Sequence, residues 1–366
     1  MRVLILSANA GTGYNSAAQA ISEQMEKLGM EFEIADVLGL LAEHDNAMGG
    51  RRSRADQKRL AKLLKMAGRY EENTPPRFLY EQCARGADAL WSRLEANAYD
   101  AIVCVHVCSA MTVTELCRRH ACTLPTYYVS TDYAALAGTS ELKLDGYFLP
   151  HSRLLSEFVR CLIPADRMLP VGIPVRSAFC ETIAQKEARR ALGLPEEGKM
   201  VLMGCGSMGG DDMVQNALRI HDALPTDTSL VVLCGHNERA YEQLSSHPSD
   251  RLFAIGFTDR IAEYMSASDL YVTKPGGLTT AEAIAKGLPM LLVKMSQGCE
   301  GENYRFLTGC GAASGVKSWK AAAREIGSIL EDDKKRAEQL EAMKRFSVSR
   351  AAETIARQIL RQLGDM

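Results

Sequence analysis

The stretch that decides the fold reads TKPGGLTTAEA and runs from Thr273 to Ala283. It follows Leu270–Val272, a short apolar run that predicts a buried strand, and it opens a predicted helix over Thr279–Lys286. Two glycines let backbone N–H groups approach an anion closely, and the helix start adds a partial positive charge. The stretch therefore predicts a diphosphate-binding turn between a strand and a helix. The alternative, a tight turn without a ligand, would need neither the threonines nor the glutamate.

Short apolar runs alternate with longer helical patterns along the chain, which is typical of doubly wound α/β proteins. In the first half, strands are predicted at Val3–Ser7, Glu31–Ala35, Ala101–His106, Thr126–Ser130 and Gly146–Leu149, and helices at Asn15–Leu28, Pro76–Ala96 and Met111–His120. In the second half, strands are predicted at Met200–Met203, Leu230–Cys234, Leu252–Ile255, Leu270–Val272 and Met290–Val293, and helices at Met213–Ala223, Glu238–Ser245, Ile261–Ala267 and Thr279–Lys286. The fold class is therefore predicted to be α/β.

A punctuated stretch, LPVGIPV at Leu169–Val175, interrupts this alternation. Two prolines and a glycine cannot continue a helix or a central strand, so we place a hinge here. A chain of 366 residues is also too long for one ordinary core. We predict one domain over 1–175, a second over 176–345, and a C-terminal helix over 346–366 that is a candidate to pack back on the first domain.

The composition, with 46% hydrophobic and 24% charged residues, is that of a soluble globular protein. A net charge of −2 argues neither for nor against nucleic acid. The eleven cysteines form no C-x-x-C pair and no zinc-finger spacing, so reduced and mostly buried thiols are expected. No signal peptide is recognisable, and Ala101–Thr114, the most apolar stretch, is too short to span a membrane. We expect a cytoplasmic protein.

Three side chains complete the candidate diphosphate site. Thr279 and Thr280 offer hydroxyl donors beside the backbone N–H groups, and Glu282, one turn into the helix, can reach ribose hydroxyls. A diphosphate held in this way needs no metal, and no D-x-D triplet that could ligate Mg²⁺ or Mn²⁺ occurs in the chain. No cofactor and no metal are therefore expected.

The motif resembles the donor site of a known enzyme family. Lys274–Ala283, Leu288-Pro289 and the segment GCEGEN at Gly298–Asn303 are similar to the diacylglycerol glycosyltransferases. These include monogalactosyldiacylglycerol synthase and processive diacylglycerol glucosyltransferase, and they are related to the N-acetylglucosaminyltransferase of peptidoglycan lipid synthesis. Further segments that match the family are Met203–Gly209, Cys234–Asn237, Gly256–Thr258 and Gly172–Val175.

This resemblance implies a GT-B fold, in which two Rossmann-like domains face each other across a cleft. It implies inverting transfer of a hexose from a UDP-sugar to a membrane lipid, with diacylglycerol as the expected acceptor. Glu300 and Asn303 would face the donor sugar, and Phe257 and Thr258 would lie near the uracil. The full set of expected donor-binding residues is Gly206, Ser207, Met208, Gly235, Asn237, Phe257, Thr258, Lys274, Gly276, Gly277, Leu278, Thr279, Thr280, Glu282, Gly298, Glu300 and Asn303.

The acceptor side is expected at the other glycine-rich turn, with Gly11, Gly13, Tyr14 and Asn15 after the first strand. The family has a catalytic histidine where this chain has Tyr14. A tyrosine with a pKa near 10 is a poor general base at neutral pH, so Tyr14 is as compatible with packing as with substrate contact.

Two other residues are the candidates for the general base. Asp132, after strand Thr126–Ser130, is the first, because a carboxylate at the carboxyl end of a strand faces the crevice where α/β enzymes bind ligands. His106, at the end of another strand, is the second. His151 is expected to be an ordinary hydrogen-bonded loop residue.

A basic amphipathic stretch, Arg51–Arg69, carries eight basic residues and one acid. Leucines recur on one face, so the helix can lie on an anionic bilayer, with Arg59, Lys62, Leu63, Lys65 and Met66 as contacts. No aromatic residues interleave with the charges, so nucleic acid is not an expected partner. The expected location is the inner face of the cell membrane. The alternative is a helix docked on its own domain.

Two other functions remain open. A nucleotide-sugar-binding relative with weak or no transferase activity is compatible with Tyr14, and a soluble nucleotide-sugar enzyme such as an epimerase could use the same fold. A dehydrogenase is disfavoured, although Gly204, Gly206 and Gly209 satisfy the dinucleotide fingerprint, because the next strand ends without the required acid. The sequence determines neither the donor sugar, because Gln297 replaces a family proline in the sugar loop, nor the oligomeric state.

Overall fold

The computed structural model of the chain describes residues 1–8, 12–40, 76–206, 212–295 and 298–364. The chain divides into two compact units. The first comprises Met1–Arg176, Gln297–Cys299 and Ser347–Met366, and the second comprises Ser177–Ser296 and Glu300–Phe346. We call them the first and second domains.

The first domain contains a parallel six-stranded sheet in the order β2-β1-β3-β4-β5-β6. Its strands are β1 Arg2–Ser7, β2 Glu31–Asp36, β3 Ala101–Cys104, β4 Thr126–Val129, β5 Gly146–Leu149 and β6 Met168–Pro170. Its helices are α1 Thr12–Lys27, α2 Pro76–Ala84, α3 Ala87–Ala96, α4 Val107–His120 and α5 Leu155–Arg160. Apart from Arg2, all residues of the inner strands β1, β3 and β4 are buried, as expected for a parallel sheet covered by helices.

The second domain repeats this plan with a parallel sheet in the order β12-β11-β10-β7-β8-β9. Its strands are β7 Lys199–Gly204, β8 Thr228–Gly235, β9 Leu252–Gly256, β10 Leu270–Thr273, β11 Met290–Val293 and β12 Ser314–Val316. Its helices are α6 Ser177–Cys180, α7 Gln185–Ala191, α8 Met213–Ala223, α9 Glu238–Ser245, α10 Ile261–Ala267, α11 Gly277–Lys286, α12 Cys299–Gly309, α13 Trp319–Glu331 and α14 Asp333–Met343. The chain ends in α15 Val348–Gly364, which belongs to the first domain.

Each sheet has one point where the order of the strands reverses. In the first domain the chain runs from β1 to β2 on one side and then returns to place β3 on the other side of β1. In the second domain it runs through β7, β8 and β9 and then returns to place β10 beside β7. Ligands of open α/β sheets bind outside the carboxyl ends of the strands at such a switch point. The candidate sites are therefore β1–β3 and β7–β10.

The predicted strands are confirmed in the interior of both sheets. The predictions are wrong for two edge strands and for the ends of several elements. The three-residue edge strands β6 and β12 were missed, because each offers too few residues for a pattern. The predicted helix over Pro76–Ala96 is two helices that break at Arg85 and Gly86. The strand predicted to reach His106 ends at Cys104, and α4 begins at Val107 instead of Met111, because His106 caps the helix.

Gly172 shows why the stretch before the domain change needs a glycine. Its φ is +98°, and a Cβ at this position would lie 3.1 Å from the backbone carbon of Ser347 and the nitrogen of Val348. The chain thus passes close to the start of α15 just before it leaves the first domain. Helix α15 then packs against α1 within that domain.

The cysteines correct one expectation. None of the eleven forms a disulfide, but only four are buried, namely Cys83, Cys104, Cys108 and Cys234. Cys180 is exposed, and the other six are partly exposed. The expectation of mostly buried thiols is wrong because several lie at helix ends near the surface, such as Cys161 after α5. Among the described residues, no helix is long and apolar enough to cross a bilayer.

A buried arginine holds the lower edge of the second domain together. Arg189 on α7 is 2% exposed, and its guanidinium donates to the carbonyl oxygens of Ala267, Glu196 and Gly198 at 2.8–3.1 Å. It also pairs with Asp269 at 2.9 Å, and Asp269 in turn accepts from the backbone N–H of Met200 at 2.8 Å. One side chain therefore ties α7 to the starts of β7 and β10.

Replacing Arg189 with methionine should lower the free energy of unfolding of the second domain by about 3 kcal/mol, because Asp269 and three carbonyl groups lose their buried donor. Urea unfolding followed by circular dichroism measures this. The neighbouring Arg190→Met is the control, since Arg190 forms only an exposed ion pair with Glu196. Equal effects of the two changes would contradict the assignment.

Candidate functional site

The switch point of the second domain brings together two of the predicted glycine-rich turns. Thr273 at the end of β10 is in register with Gly204 at the end of β7. Beyond these strand ends, Gly206 adopts a φ of +81°, and a Cβ there would lie 3.0 Å from Cε of Lys274. The Lys274 side chain therefore passes directly beside the backbone of Gly206. The cationic side chain of Lys274 and the backbone of Gly206 therefore lie side by side at the switch point, where a ligand is expected.

The start of α11 has no side-chain cap. Gly276 is the N-cap residue, and the first bond within the helix runs from the N–H of Thr280 to the carbonyl of Gly276 at 3.0 Å. The N–H groups of Gly277, Leu278 and Thr279 precede that bond and have no partner within the helix. Helices α9 and α13, in contrast, are capped by their own N-cap side chains. The start of α11 is thus a ready anion site.

The two threonines of the motif differ in role. The Thr280 hydroxyl donates to the carbonyl oxygens of Gly276 and Gly277 at 2.8 and 3.0 Å, and the residue is fully buried. Its expected role as a phosphate donor is therefore corrected, because its hydrogen is already used to shape the turn. Thr279 is partly exposed and Glu282 is buried one turn further along, and their expected contacts with phosphate and ribose stay predictions.

Helix α12 is fastened to the same turn by two polar contacts. Glu300 pairs with Lys274 at 2.8 Å, and the side-chain amide of Asn303 donates to the carbonyl of Pro275 at 3.1 Å. The sequence led us to expect Asn303 to face the donor sugar. Asn303 is instead fully buried and positions the turn through its bond to Pro275. Gly298, with a φ of +75°, precedes the helix. Glu300 and Asn303 of α12 are thus held against the turn that begins α11.

The ends of β8 and β9 supply a ring platform. The rings of His236 and Phe257 stack with their centroids 4.2 Å apart and at 15° to each other, and Phe257 is 64% exposed. Gly235 ends β8 with a φ of +59°. The side-chain oxygen of Asn237 accepts from the N–H of Ala240 at 3.0 Å, and that of Thr258 accepts from Arg260 at 3.1 Å. Asn237 and Thr258 therefore shape the loops that carry the platform.

At the switch point of the first domain, a second cluster lies between the ends of β1 and β3. Ser7, at the end of β1, donates its hydroxyl to Asn15 on α1 at 2.6 Å. The Tyr14 ring stands edge-on to the His106 ring, with centroids 4.3 Å apart and an interplanar angle of 84°. Tyr14 also packs against the apolar pair Ala8 and Val37. The expected packing of Tyr14 is thus confirmed, and its contact with a substrate stays a prediction.

The hydrogen bonds of His106 determine which ring nitrogen carries a proton. Its Nδ1 accepts from the N–H of Cys108 at 3.1 Å and so caps α4. In the neutral ring the proton must then be on Nε2, and in the charged ring both nitrogens carry one. Burial lowers the pKa of His106, but the charge and the hydrogen bond of the Cys108 side chain, together with the carboxylates of Asp132 and Asp36, raise it more, so the net shift is upward. In either state Nε2 is a donor.

The phenol of Tyr14 keeps its proton, partly because Asp132 lies near it. Burial, and next the charge of Asp132, raise the pKa of Tyr14 well above its usual value, so the phenol stays protonated. Asp132 follows β4 and is 4% exposed, and its charge acts on both Tyr14 and His106. His151 is a loop cap, as expected, because its Nδ1 accepts from the N–H of Arg153 at 3.1 Å.

Some predicted residues lie outside the described part of the chain. They are Gly11 of the acceptor turn, Ser207 and Met208 of the donor turn, and all the membrane-contact residues, Arg59, Lys62, Leu63, Lys65 and Met66. Gly13 lies in the first turn of α1. Sequence reasoning missed Ser7 and Cys108. The only signal for Ser7 was a polar residue at the end of an apolar strand.

Both halves of the chain match known protein families. Residues 14–175 match the monogalactosyldiacylglycerol (MGDG) synthase family, and residues 200–359 match the glycosyltransferase family 28 C-terminal domain. The processive diacylglycerol beta-glucosyltransferase of Bacillus licheniformis is 26% identical over 380 residues, which cover 98% of this chain and 94% of that protein. The enzyme of the same name from Bacillus subtilis is 25% identical over 381 residues, which cover 99% and 95%.

Solved structures share the fold at low identity. MurG of Acinetobacter baumannii has a TM-score of 0.64 at 14% identity, covering 98% of this chain and 99% of that one. UDP-GlcNAc 2-epimerase from Neisseria meningitidis, bound to UDP-GlcNAc, has a TM-score of 0.66 at 16% identity, covering 99% and 100%. The chain therefore resembles the diacylglycerol glycosyltransferases over nearly its whole length, and it is a glycosyltransferase of glycolipid synthesis with the GT-B fold.

Proposed function

We propose that this protein transfers a hexose from a UDP-sugar to diacylglycerol or a closely similar lipid, with inversion at the anomeric carbon. The observation that carries the donor part is the uncapped start of α11 beside Lys274 at the β7–β10 switch point. The acceptor part is supported by the names of the relatives, which are diacylglycerol beta-glucosyltransferases.

Each part of the donor has a matching group in the second domain. The N–H groups of Gly277, Leu278 and Thr279 and the Lys274 ammonium suit a diphosphate, because both present positive charge to it. The exposed Phe257 ring, backed by His236, offers an apolar face for uracil. Glu300, held by Lys274, can accept hydrogen bonds from sugar hydroxyls.

The reaction needs a group that removes the proton of the acceptor hydroxyl. Tyr14 keeps its own proton, and Nε2 of His106 is a donor in both protonation states, so neither is the base. We assign this role to Asp132. Its carboxylate takes the hydroxyl proton while the acceptor oxygen bonds to the anomeric carbon. The bond from that carbon to the phosphate oxygen breaks, and UDP leaves with the electron pair.

Charge on the departing diphosphate is stabilised by the start of α11 and by Lys274. A metal ion supplies this positive charge in other transferases. We propose that this protein acts without a metal, because the start of α11 and Lys274 supply the charge. We also propose that it works at the inner face of the cell membrane, where its lipid acceptor would lie.

A second function is favoured by one observation. Tyr14 stands where the family has a catalytic histidine, and its phenol cannot accept a proton. A protein that binds the nucleotide sugar and transfers it slowly or not at all would need only the second domain's site. The turnover measurements below separate the two functions.

The amide donors of α11 can be tested one at a time. Gly277→Pro removes the first free N–H, while proline suits the first helical position and Gly276, with ψ of 137°, suits the residue before a proline. We expect the affinity for UDP to fall about tenfold or more, since a hydrogen bond to a charged group is lost. Gly277→Ala is the matched control, because it adds a Cβ and keeps the N–H. Equal UDP affinity of both variants in calorimetry would exclude these amides from the site.

The assignment of the base predicts a separation of binding from turnover. Asp132→Asn should lower kcat by about 10²–10⁴-fold, because the amide cannot take a proton, and it should leave UDP affinity unchanged. Tyr14→Phe should lower kcat far less, because the phenol is not the base. Undiminished turnover of Asp132→Asn would remove this residue from the mechanism.

The function itself is tested with radiolabelled UDP-glucose, UDP-galactose and UDP-N-acetylglucosamine and with diacylglycerol in detergent micelles. We expect a glycolipid product from one of these sugars, of inverted anomeric configuration by NMR. Adding EDTA should not reduce the rate if the helix start and Lys274 supply the charge. UDP binding without any glycolipid product would instead favour the second function.

A further inference from the structure

Helix α5 ends in a turn that normally requires glycine. The N–H of Leu162 donates to the carbonyl of Val159 at 2.9 Å, and the N–H of Ile163 donates to that of Phe158 at 3.1 Å. These two bonds define a Schellman motif with Leu162 at the left-handed position. Its φ is +64°, which costs an L-residue with a large side chain backbone energy.

Other helix ends in this protein use glycine at the same place. Gly29, Gly287 and Gly311 have φ between +62° and +74° after α1, α11 and α12. In the described ranges, only Leu162 and Ala121 combine a side chain with positive φ. A leucine gains nothing from packing in this turn, because its side chain is 82% exposed.

The chain segment that contains Leu162 carries exposed apolar and basic residues. Val159 in the same turn is 47% exposed, and Leu169 on the edge strand β6 is 38% exposed. Three exposed arginines flank these residues in the chain, and they are Arg153, Arg160 and Arg167. Of the two acids in this segment, Glu157 accepts from the N–H of Ala135 at 2.7 Å, and Asp166 is exposed. The exposed charge is therefore mainly positive.

We infer that the turn Val159–Ile163, here called the leucine turn, inserts Leu162 into the surface of an anionic bilayer. A strained, exposed leucine between arginines fits the boundary between headgroups and acyl chains, where the side chain leaves water and the guanidinium groups meet phosphates. A protein pocket would accept the leucine but would not require the surrounding positive charge. The inference deepens the proposed function, which supplies the reason for membrane contact, and it is independent of the basic stretch Arg51–Arg69.

The test compares two substitutions that change the backbone in the same way. Leu162→Gly and Ala121→Gly each place glycine at a left-handed position, so neither should lower Tm by more than about 2 °C. In co-sedimentation with phosphatidylglycerol–phosphatidylcholine vesicles, Leu162→Gly should bind about tenfold more weakly, because a buried leucine is lost. Ala121→Gly should bind like the parent. Unchanged vesicle binding of Leu162→Gly would overturn the inference.

Two further measurements separate this inference from its alternatives. Arg160→Glu should weaken binding to the anionic vesicles, and a lack of any effect would contradict the charge argument. A lower mass of Leu162→Gly than of the parent in sedimentation without vesicles would identify a second copy as the occupant and overturn the membrane assignment. Failure of the proposed function would look different, since UDP binding and transfer in micelles would be absent while vesicle binding still depended on Leu162.

Discussion

Backbone N–H groups at the start of a helix need partners, and at α11 the protein provides no side chain for this purpose. Everything else in the second domain's site is arranged around those groups. The switch in strand order brings the ends of β7 and β10 side by side, and Gly206 leaves room for Lys274. The Thr280 hydroxyl donates to a carbonyl of the turn, and the Asn303 amide holds the turn to α12. A side-chain cap at Gly276 would stabilise the helix and occupy the site.

In the first domain, the structural role of His106 as a helix cap limits its possible chemical role. His106 caps α4 with Nδ1, and this leaves a hydrogen on Nε2 whether the ring is neutral or charged. The same residue would be a plausible base if only its position at a strand end were considered. Because helix capping fixes the tautomer, the hydrogen of the neutral ring is on Nε2. The carboxylates of Asp132 and Asp36 both act on His106, and of these two Asp132 also acts on Tyr14.

Backbone strain in this protein occurs at an exposed helix end. Most left-handed positions are glycines, which adopt that conformation without cost. Leu162 is the exception with a large side chain, and it is also among the most exposed apolar residues described. Burial of an apolar tip in a bilayer would offset the backbone cost. Glycine at this position would remove the backbone cost, but it would leave no side chain to enter the bilayer.

The sequence by itself determined the α/β class, the interior strands and the glycine-rich turn at the start of α11, because each depends on local patterns of apolar residues and glycines. It also pointed to Asp132, since a carboxylate after a buried strand has few other reasons to be there. Only the tertiary structure decided that Thr280 and Asn303 brace the turn, and that His106 is a cap. Those roles depend on which partner each polar group reaches, and residues 28 positions apart, such as Pro275 and Asn303, meet only after the sheet has formed. The short edge strands β6 and β12 were settled in the same way, by pairing with a neighbouring strand rather than by any pattern of their own.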